Sequence, residues 1–451
     1  MTAESVYDYY DPCYGEISLP ELAYELISSC PELKRLKDLG FTNFDTLSMH
    51  PLSKISRLEH AIGVAYLTSV FLDSSLFTWI ERNNLLAAAL MHDVGSAPFG
   101  HTVEWTLNRY VDFDHEKNVR RVLKGEEIRY DLQIAQMYYE PNLFHRRFIS
   151  NKRAKERYHL DPDLILSYLQ GEGKGRIIAS SGIDFDNIDN VFRMNFYTGG
   201  PYQKDLPVKL VKSLSWRDED FLISETNLSL IQDWLDARYR AYDLLIYNEE
   251  YVAYEYMLSR AVETYFKELV SDRHVRLEPS HWALTDDRLV QMMYEAESTK
   301  ELGKRLRLLN FYDVIGMYVS EKLNIQPQLT NATERESIER SLEPYLQQYF
   351  AKSHPKTRFS VAFHCTTDFR KRYREISINV QQNDGRILPR TFSTDRDFLV
   401  IGVLTPWKLS TYPKEIKTDC RRAVLDFLRA NLDPDIKLAS ERLVVERIGV
   451  E

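Results

Sequence analysis

The chain has 451 residues, of which 44% are apolar and 28% charged, with a formal net charge of -9. That length suits two or three folded units with buried cores, and the acidic balance argues against a protein that coats nucleic acid, leaving only a local basic cleft open. Cys13, Cys30, Cys365 and Cys420 form no CxxC pair, which argues against a zinc ribbon or a disulfide framework and for reduced thiols. The start MTAESVYDYYDP lacks the basic residues and apolar run of a signal peptide. The longest apolar stretches fall short of the ~20 residues a spanning helix needs. The expectation is a cytoplasmic protein without membrane contact.

Helical signals dominate from residue 20 to about 345. Leu19-Pro20-Glu21-Leu22 opens a helix with proline near its first turn. HAIGVAYLTSVFL (60–72) is almost wholly apolar and reads as a buried helix; NLLAAALMHD (84–93) is a second, ending at Val94-Gly95. In the loop SAPFGH, Pro98 and Gly100 return His101 toward that helix end. The segment 145–158 is strongly basic, a solvated face or a phosphate-contacting surface. LDPDLILSYLQGEGKG reads as a short helix led by Asp161 and Asp163 and closed by glycines. Residues 207–224 alternate apolar and polar around a charged turn, as a β-hairpin would. Long helices resume from Asn227 to about Glu268. After residue 350, RFSVAFHCTTDF, REISINVQQ and DFLVIGVLTP read as strands and TDCRRAVLDFLRANL as an amphipathic helix. The division expected is 1–350, mainly helical, and 351–451, a smaller α+β unit.

One constellation carries chemistry. His60 lies near the start of one buried helix, His92-Asp93 closes another, and Asp186 stands in the carboxylate-crowded GIDFDNID. A lone histidine is commonly structural; four such groups together are a mixed nitrogen and oxygen donor set. That set suits a divalent first-row metal better than calcium or magnesium. Buried carboxylates without partners cost several kcal/mol, so such groups are normally paired or metal-bound.

SRLEHAIGV, MHDVGSAPFGHTVE, DHEKNV and GIDFDNIDNVFRMNFYTGG, in this order, resemble the HD-domain phosphohydrolases. Their context, from about Tyr10 to Tyr312, is most similar to the deoxynucleoside triphosphate triphosphohydrolase branch, without the sterile-alpha-motif domain of the animal enzymes. YDPCYGEISLPELAYELISSC resembles that branch's opening hairpin and helix, and LTDDRLVQMM a later helix. The resemblance implies a mainly α fold: an HD-domain helical core with a β-hairpin insertion and a smaller α+β C-terminal unit. It implies metal ligands His60, His92, Asp93 and Asp186, with His101 and His115 in the active site. Glu104 and Glu116 stand close enough in sequence to fix the tautomers of those histidines. Arg57 matches a phosphate-contacting arginine. Arg193 matches an arginine that either contacts phosphate or pairs with a pocket carboxylate, and Tyr197 either packs beside substrate or in the core.

The implied reaction is release of nucleoside and triphosphate from a (deoxy)nucleoside triphosphate. The cofactor is a divalent transition metal (manganese, iron, cobalt, zinc or nickel), with further magnesium accompanying the nucleotide. The branch also implies a homo-oligomer, dimer or tetramer, and a nucleotide effector; the effector-reading positions are Ser29, Lys34 and Lys37 here, a poor match. Other departures concern the substrate. Ser96 replaces a further histidine, Asn187 a basic residue near the phosphates, and Asn190 and Met194 the tyrosine and aspartate that hold the deoxyribose. Methionine cannot hydrogen-bond a sugar hydroxyl as a carboxylate can. Two alternatives stay open: a phosphodiesterase or exonuclease on single-stranded nucleic acid, its groove lined by 145–158 and Arg370-Lys371-Arg372, and a nucleotide sensor that binds without turnover.

Overall fold

The structure, a computed structural model, describes residues 6–72, 76–124, 156–179, 182–201, 203–271, 277–352, 359–366, 375–392, 398–409 and 414–440. Segment 145–158 lies outside these as far as residue 155, and so does the run 370–372.

Strands β1 (Val6–Asp11) and β2 (Gly15–Pro20) form an antiparallel hairpin. Helices α1 (Glu21–Ser29), α2 (Pro31–Arg35) and α3 (His50–Ser53) lead to the central pair, α4 (Arg57–Leu72) and α5 (Trp79–Met91). Helix α4 is apolar on nearly every side and is buried accordingly. Helix α5 starts on a capping box, in which the Thr78 hydroxyl accepts from the Glu81 N–H and the Glu81 carboxylate accepts from the Thr78 N–H. It ends at His92, and the following turn passes through the left-handed region at Phe99 and Gly100. Helix α6 (His101–Val111) begins there, followed by α7 (His115–Lys124), α8 (Pro162–Leu169), capped by Asp161, and α9 (Phe185–Tyr197), capped by Asp184.

Residues 207–213, expected as the first arm of a β-hairpin, lie in helix α10 (Leu206–Ser213). Its buried residues Pro207, Leu210 and Val211 recur at helical spacing, which outweighs the local alternation. The hairpin itself is shorter: β3 (Leu214–Arg217) and β4 (Asp220–Ser224), joined by Asp218 and Glu219, both left-handed as a two-residue turn requires. Two long helices follow, α11 (Leu228–Ile246) and α12 (Glu249–Ser271), then α13 (Asp286–Glu295) and α14 (Lys300–Arg307). Strand β5 (Asp313–Ser320) interrupts a stretch expected to be helical. It is followed by α15 (Gln326–Thr330), α16 (Ala332–Tyr349), β6 (Ala362–Thr366), β7 (Ile376–Gln381), β8 (Ile387–Phe392), β9 (Leu399–Thr405), α17 (Lys414–Asn431) and β10 (Lys437–Leu438). The protein is mainly α, as expected. Its sheets cross residue 350. Strands β10-β5-β9-β6 form one sheet, and β3-β4-β7-β8 another in which β4 and β7 run parallel.

Two hydrophobic cores result. One gathers α1, α4, α5, α8 and α9 with the N-terminal hairpin; the other joins α12, α13 and α16 to the β5-β9-β6 sheet. Gly63 marks how closely α4 and α9 meet, because a Cβ there would stand 2.0 Å from Asp189 Oδ1 and 2.4 Å from Arg193 Nη2. Glycine to alanine inside a helix ordinarily stabilises by about 1 kcal/mol. At this position overpacking against a buried ion pair reverses the sign, and Gly63→Ala is expected to destabilise by about 1–3 kcal/mol. Urea unfolding midpoints read this; a stabilised variant would refute the packing described.

Candidate metal centre and catalytic cavity

Helices α4, α5 and α9 bring His60, His92, Asp93 and Asp186 together. The nearest donor atoms of His60, His92 and Asp93 all lie within 4.8 Å of one another. Asp186 Oδ1 lies 2.9 Å from His60 Nε2 and 3.9 Å from His92 Nε2. The outer ring nitrogens fix the tautomers. His92 Nδ1 lies 2.8 Å from the Ala89 carbonyl, which only accepts, so Nδ1 carries the hydrogen. His60 Nδ1 donates to Asp189 Oδ2 at 2.7 Å. In the neutral rings both Nε2 lone pairs therefore face inward, 3.3 Å apart, beside Asp186. Acceptors converging in this way need a proton or a cation between them. Burial lowers the basicity of His60, but hydrogen bonds to Asp186 and Asp189 override it and push its pKa up to about 9. A divalent ion fits the same convergence of nitrogen and oxygen donors.

Asp93 is half-buried, and its desolvation would raise its pKa, yet the Arg57 guanidinium holds its carboxyl well below the usual carboxylate range. Arg57 Nη1 donates to Asp93 Oδ2 at 2.8 Å and Nη2 to Asn43 at 3.3 Å. Ser96, where the resemblance expects a histidine, donates to Asp93 Oδ1 at 2.9 Å and so helps to orient that carboxylate.

Asp189 escaped the sequence reading. It is fully buried and accepts from Tyr14 Oη at 2.6 Å, from His60 Nδ1, and from Arg193 Nε at 2.9 Å and Nη2 at 3.0 Å. Burial acts against its charge, but Arg193 and His60 hold its pKa well below the ordinary value. Arg193 also donates to Asp11 Oδ2 at 3.0 Å. Asp11 in turn accepts from the backbone of Cys13 and Tyr14 in the hairpin turn. The carboxylate crowding in GIDFDNID was the available signal, and Asp189 is the member that looks inward.

Rows of residues four apart along α9 sort the remaining candidates. Asp186, Asn190 and Met194 line the cavity. Asp189 and Arg193 form the next row and face the hairpin, with Tyr197 continuing it. Arg193 is thus a buried partner of two carboxylates and does not line the cavity; Tyr197 packs against both cores, half-buried. Asn187 starts a third row, where its side-chain amide donates to Asp184 and its carbonyl accepts from Arg238 at 3.3 Å. Of the five substrate-binding candidates, Arg57 and Asn190 line the cavity and Asn187, Arg193 and Tyr197 do not.

The cavity, about 300 Å³, lies between the two cores. At one side Glu104 grips two imidazoles, Oε2 at 2.8 Å from His101 Nδ1 and Oε1 at 2.9 Å from His115 Nδ1. Burial opposes the charge on Glu104, but the two histidines hold its pKa well below the ordinary value. Burial lowers His115, but Glu104 overrides this and pushes it up to about 9. Glu116 is exposed at the rim, and among the described residues its carboxylate pairs with neither histidine. A further, half-buried carboxylate, Asp286 at the start of α13, accepts the N–H groups of Gly40 at 2.6 Å and Phe99 at 2.8 Å, tying the loop before α6 to the segment before Arg57. Burial pushes its pKa up to about 6.

Residues 57–191 match the family model of the HD domain. Those residues therefore carry an HD domain, and the chain resembles the deoxynucleoside triphosphate triphosphohydrolase branch of the HD-domain phosphohydrolases. It is 25% identical over 51% of its length to an uncharacterized protein, YwfO, of Bacillus subtilis, covering 49% of that chain. It is 22% identical over 68% of its length to a deoxynucleoside triphosphate triphosphohydrolase SAMHD1 homolog of Dictyostelium discoideum, covering 59% of it. The chain thus spans roughly half the length of the curated relatives it matches. Among solved structures, a phosphohydrolase from Bacteroides thetaiotaomicron superposes with a TM-score of 0.61 at 18% identity, covering 88% of this chain and 99% of that one. A hypothetical protein from Aquifex aeolicus gives 0.60 at 18% identity, over 93% of this chain and 100% of that one. These two likenesses establish the fold. No helix among the described residues is long and apolar enough to cross a membrane.

Because Asp189 fixes the His60 tautomer from behind, Asp189→Asn is expected to lower affinity for a divalent ion about 10- to 100-fold while leaving every inward-facing donor in place. Calorimetric titration of manganese or zinc into folded variant, checked by circular dichroism, measures this. Unchanged affinity would show that Asp189 serves packing alone.

Proposed function

We propose that the protein is a metal-dependent nucleotide phosphohydrolase that cleaves (deoxy)nucleoside triphosphates to nucleoside and triphosphate. The observation that carries this reading is the pair of imidazole lone pairs turned toward Asp93 and Asp186 on the wall of a cavity that is also lined by the His101-Glu104-His115 cluster. His60, His92, Asp93 and Asp186 would hold the ion, which when bound lowers the pKa of water and polarises a phosphoryl oxygen. The donor set does not choose among manganese, iron, cobalt, zinc and nickel.

The chain's own groups then have separable tasks. Arg57 balances Asp93 and presents positive charge to the phosphates. Glu104 orients His101 and His115 through their Nδ1 atoms, leaving Nε2 of each for the substrate. His115, protonated at neutral pH, gives a proton to the departing nucleoside oxygen. Asn190 lines the cavity, and its buried side-chain oxygen finds no partner among the described residues.

A metal-by-nucleotide screen over all dNTPs and NTPs, with separate detection of phosphate, pyrophosphate and triphosphate, tests the reading. Triphosphate release in the wild type and its loss in His92→Ala and Asp93→Ala, together with bound metal, is the expected outcome. Full turnover by a metal-free variant would sink it, and mononucleotide release from oligonucleotides with none from dNTPs would replace it by a nuclease.

The proton on His115 sets the alkaline limit. An imidazole raised to about 9 keeps its proton below that pH and loses it above, so kcat/KM is expected to fall as pH rises through about 9. Glu104→Gln removes the charge that raises it, and the limb moves to lower pH. A limb that stays in place in Glu104→Gln would assign it to another group.

A further inference from the structure

The cavity lining holds one more carboxylate, Glu255, outside the two histidine clusters. The second core presents Phe44, Met194, Tyr242, Leu245 and Tyr251 to the cavity. On α12, one turn beyond Tyr251, stands the carboxylate of Glu255, which also lines the cavity. A carboxylate in such surroundings loses hydration and needs hydrogen bonds in exchange. Its partner among the described residues is His364, whose Nε2 lies 2.9 Å from Glu255 Oε2.

His364 comes from far along the chain. It sits on β6, opposite Gly402 of β9. A Cβ at Gly402 would stand 2.4 Å from Val252 on α12, so the glycine lets the sheet dock closely enough for His364 to reach Glu255. The C-terminal strands therefore help to shape the wall of the cavity.

The chemistry of this lining is selective. The Glu255 carboxylate is a hydrogen-bond acceptor on it. An acceptor repels phosphate and attracts neutral donors. Met194, also on the lining, supplies no strong hydrogen bond. A sugar hydroxyl donating to a carboxylate is a strong, charge-assisted bond, and an acidic side chain is a common reader of nucleotide sugars. We infer that Glu255, held in place by His364, receives a hydroxyl of the substrate's sugar. The inference rests on the nucleotide reading above and assigns to Glu255 the sugar recognition that position 194 does not provide.

Binding and turnover of dATP and 2′,3′-dideoxy-ATP by wild type and variants test it, using calorimetry for binding and product release for turnover. The wild type is expected to favour dATP. Glu255→Ala is expected to lose roughly 10- to 100-fold in affinity for dATP, the scale of a hydrogen bond to a charged group, and to bind the dideoxy nucleotide as before. His364→Ala is expected to show part of the same selective loss, and His364→Gln, which keeps a donor, to restore it. An equal loss on both nucleotides, or none on either, overturns the inference even where triphosphate is released. A hydroxyl preference that depends on Glu255, seen in binding without turnover, upholds the inference while the proposed activity fails.

Discussion

Where two hydrogens sit governs the whole site. His60 and His92 each spend their Nδ1 hydrogen on an acceptor behind them, Asp189 in one case and the Ala89 carbonyl in the other. Their remaining lone pairs have no choice but to face each other. For His92 the acceptor is part of its own helix end and comes with the backbone. For His60 it is a buried carboxylate, whose charge must itself be held. Arg193 holds it, Asp11 holds Arg193, and the N-terminal hairpin turn holds Asp11. An isolated buried charge costs several kcal/mol, and removing one member of such a set typically costs about 3–5 kcal/mol. The hairpin, α4 and α9 are thereby locked into one unit, with the orientation of a single imidazole as its product.

Glu104 applies the same device to a different end. A single carboxylate reaches the Nδ1 atoms of His101 and His115, so two rings share one orienting charge. The effect on charge is also the same: His60 beside its two aspartates and His115 beside Glu104 are both pushed up to about 9 by the carboxylates that orient them. Asp286 acts more remotely: by accepting two backbone N–H groups, it ties the start of α6, and with it His101, to the segment that carries Arg57.

The residues that converge at His60 and His92 were legible because His92-Asp93 and its flanking words stand out locally, and because apolar runs 60–72 and 84–93 are unambiguous helices. What supports them was not legible. Asp11 and Arg193 are 182 positions apart, and nothing in either neighbourhood announces a partner at that distance. Residues 206–213 show both an alternating and a helical pattern, and packing of Leu210 and Val211 decides for the helix. Strand β5 lies in sequence rich in helix formers nearby; it is a strand because β9 and β10 lie on either side of it in the finished fold.

Helix α9 separates positions that answer to the buried network from positions that answer to the cavity. Its i, i+4 rows point in different directions, so Asp189 and Arg193 answer to the buried network and Asn190 and Met194 to the cavity. A change in the first row leaves a charge unpaired in the interior. A change in the second alters only what the cavity can hold, at little cost to the fold. Asn187, in the third row, is satisfied by Asp184 and Arg238 and answers to neither. Substitutions that depart from the triphosphohydrolase pattern fall at 187, 190 and 194, outside the network row. The cavity lies where the two cores meet, so part of its wall, Glu255 with His364 behind it, belongs to elements outside the His60-His92-Asp93 cluster. That part of the wall can change without moving any of the clustered donors.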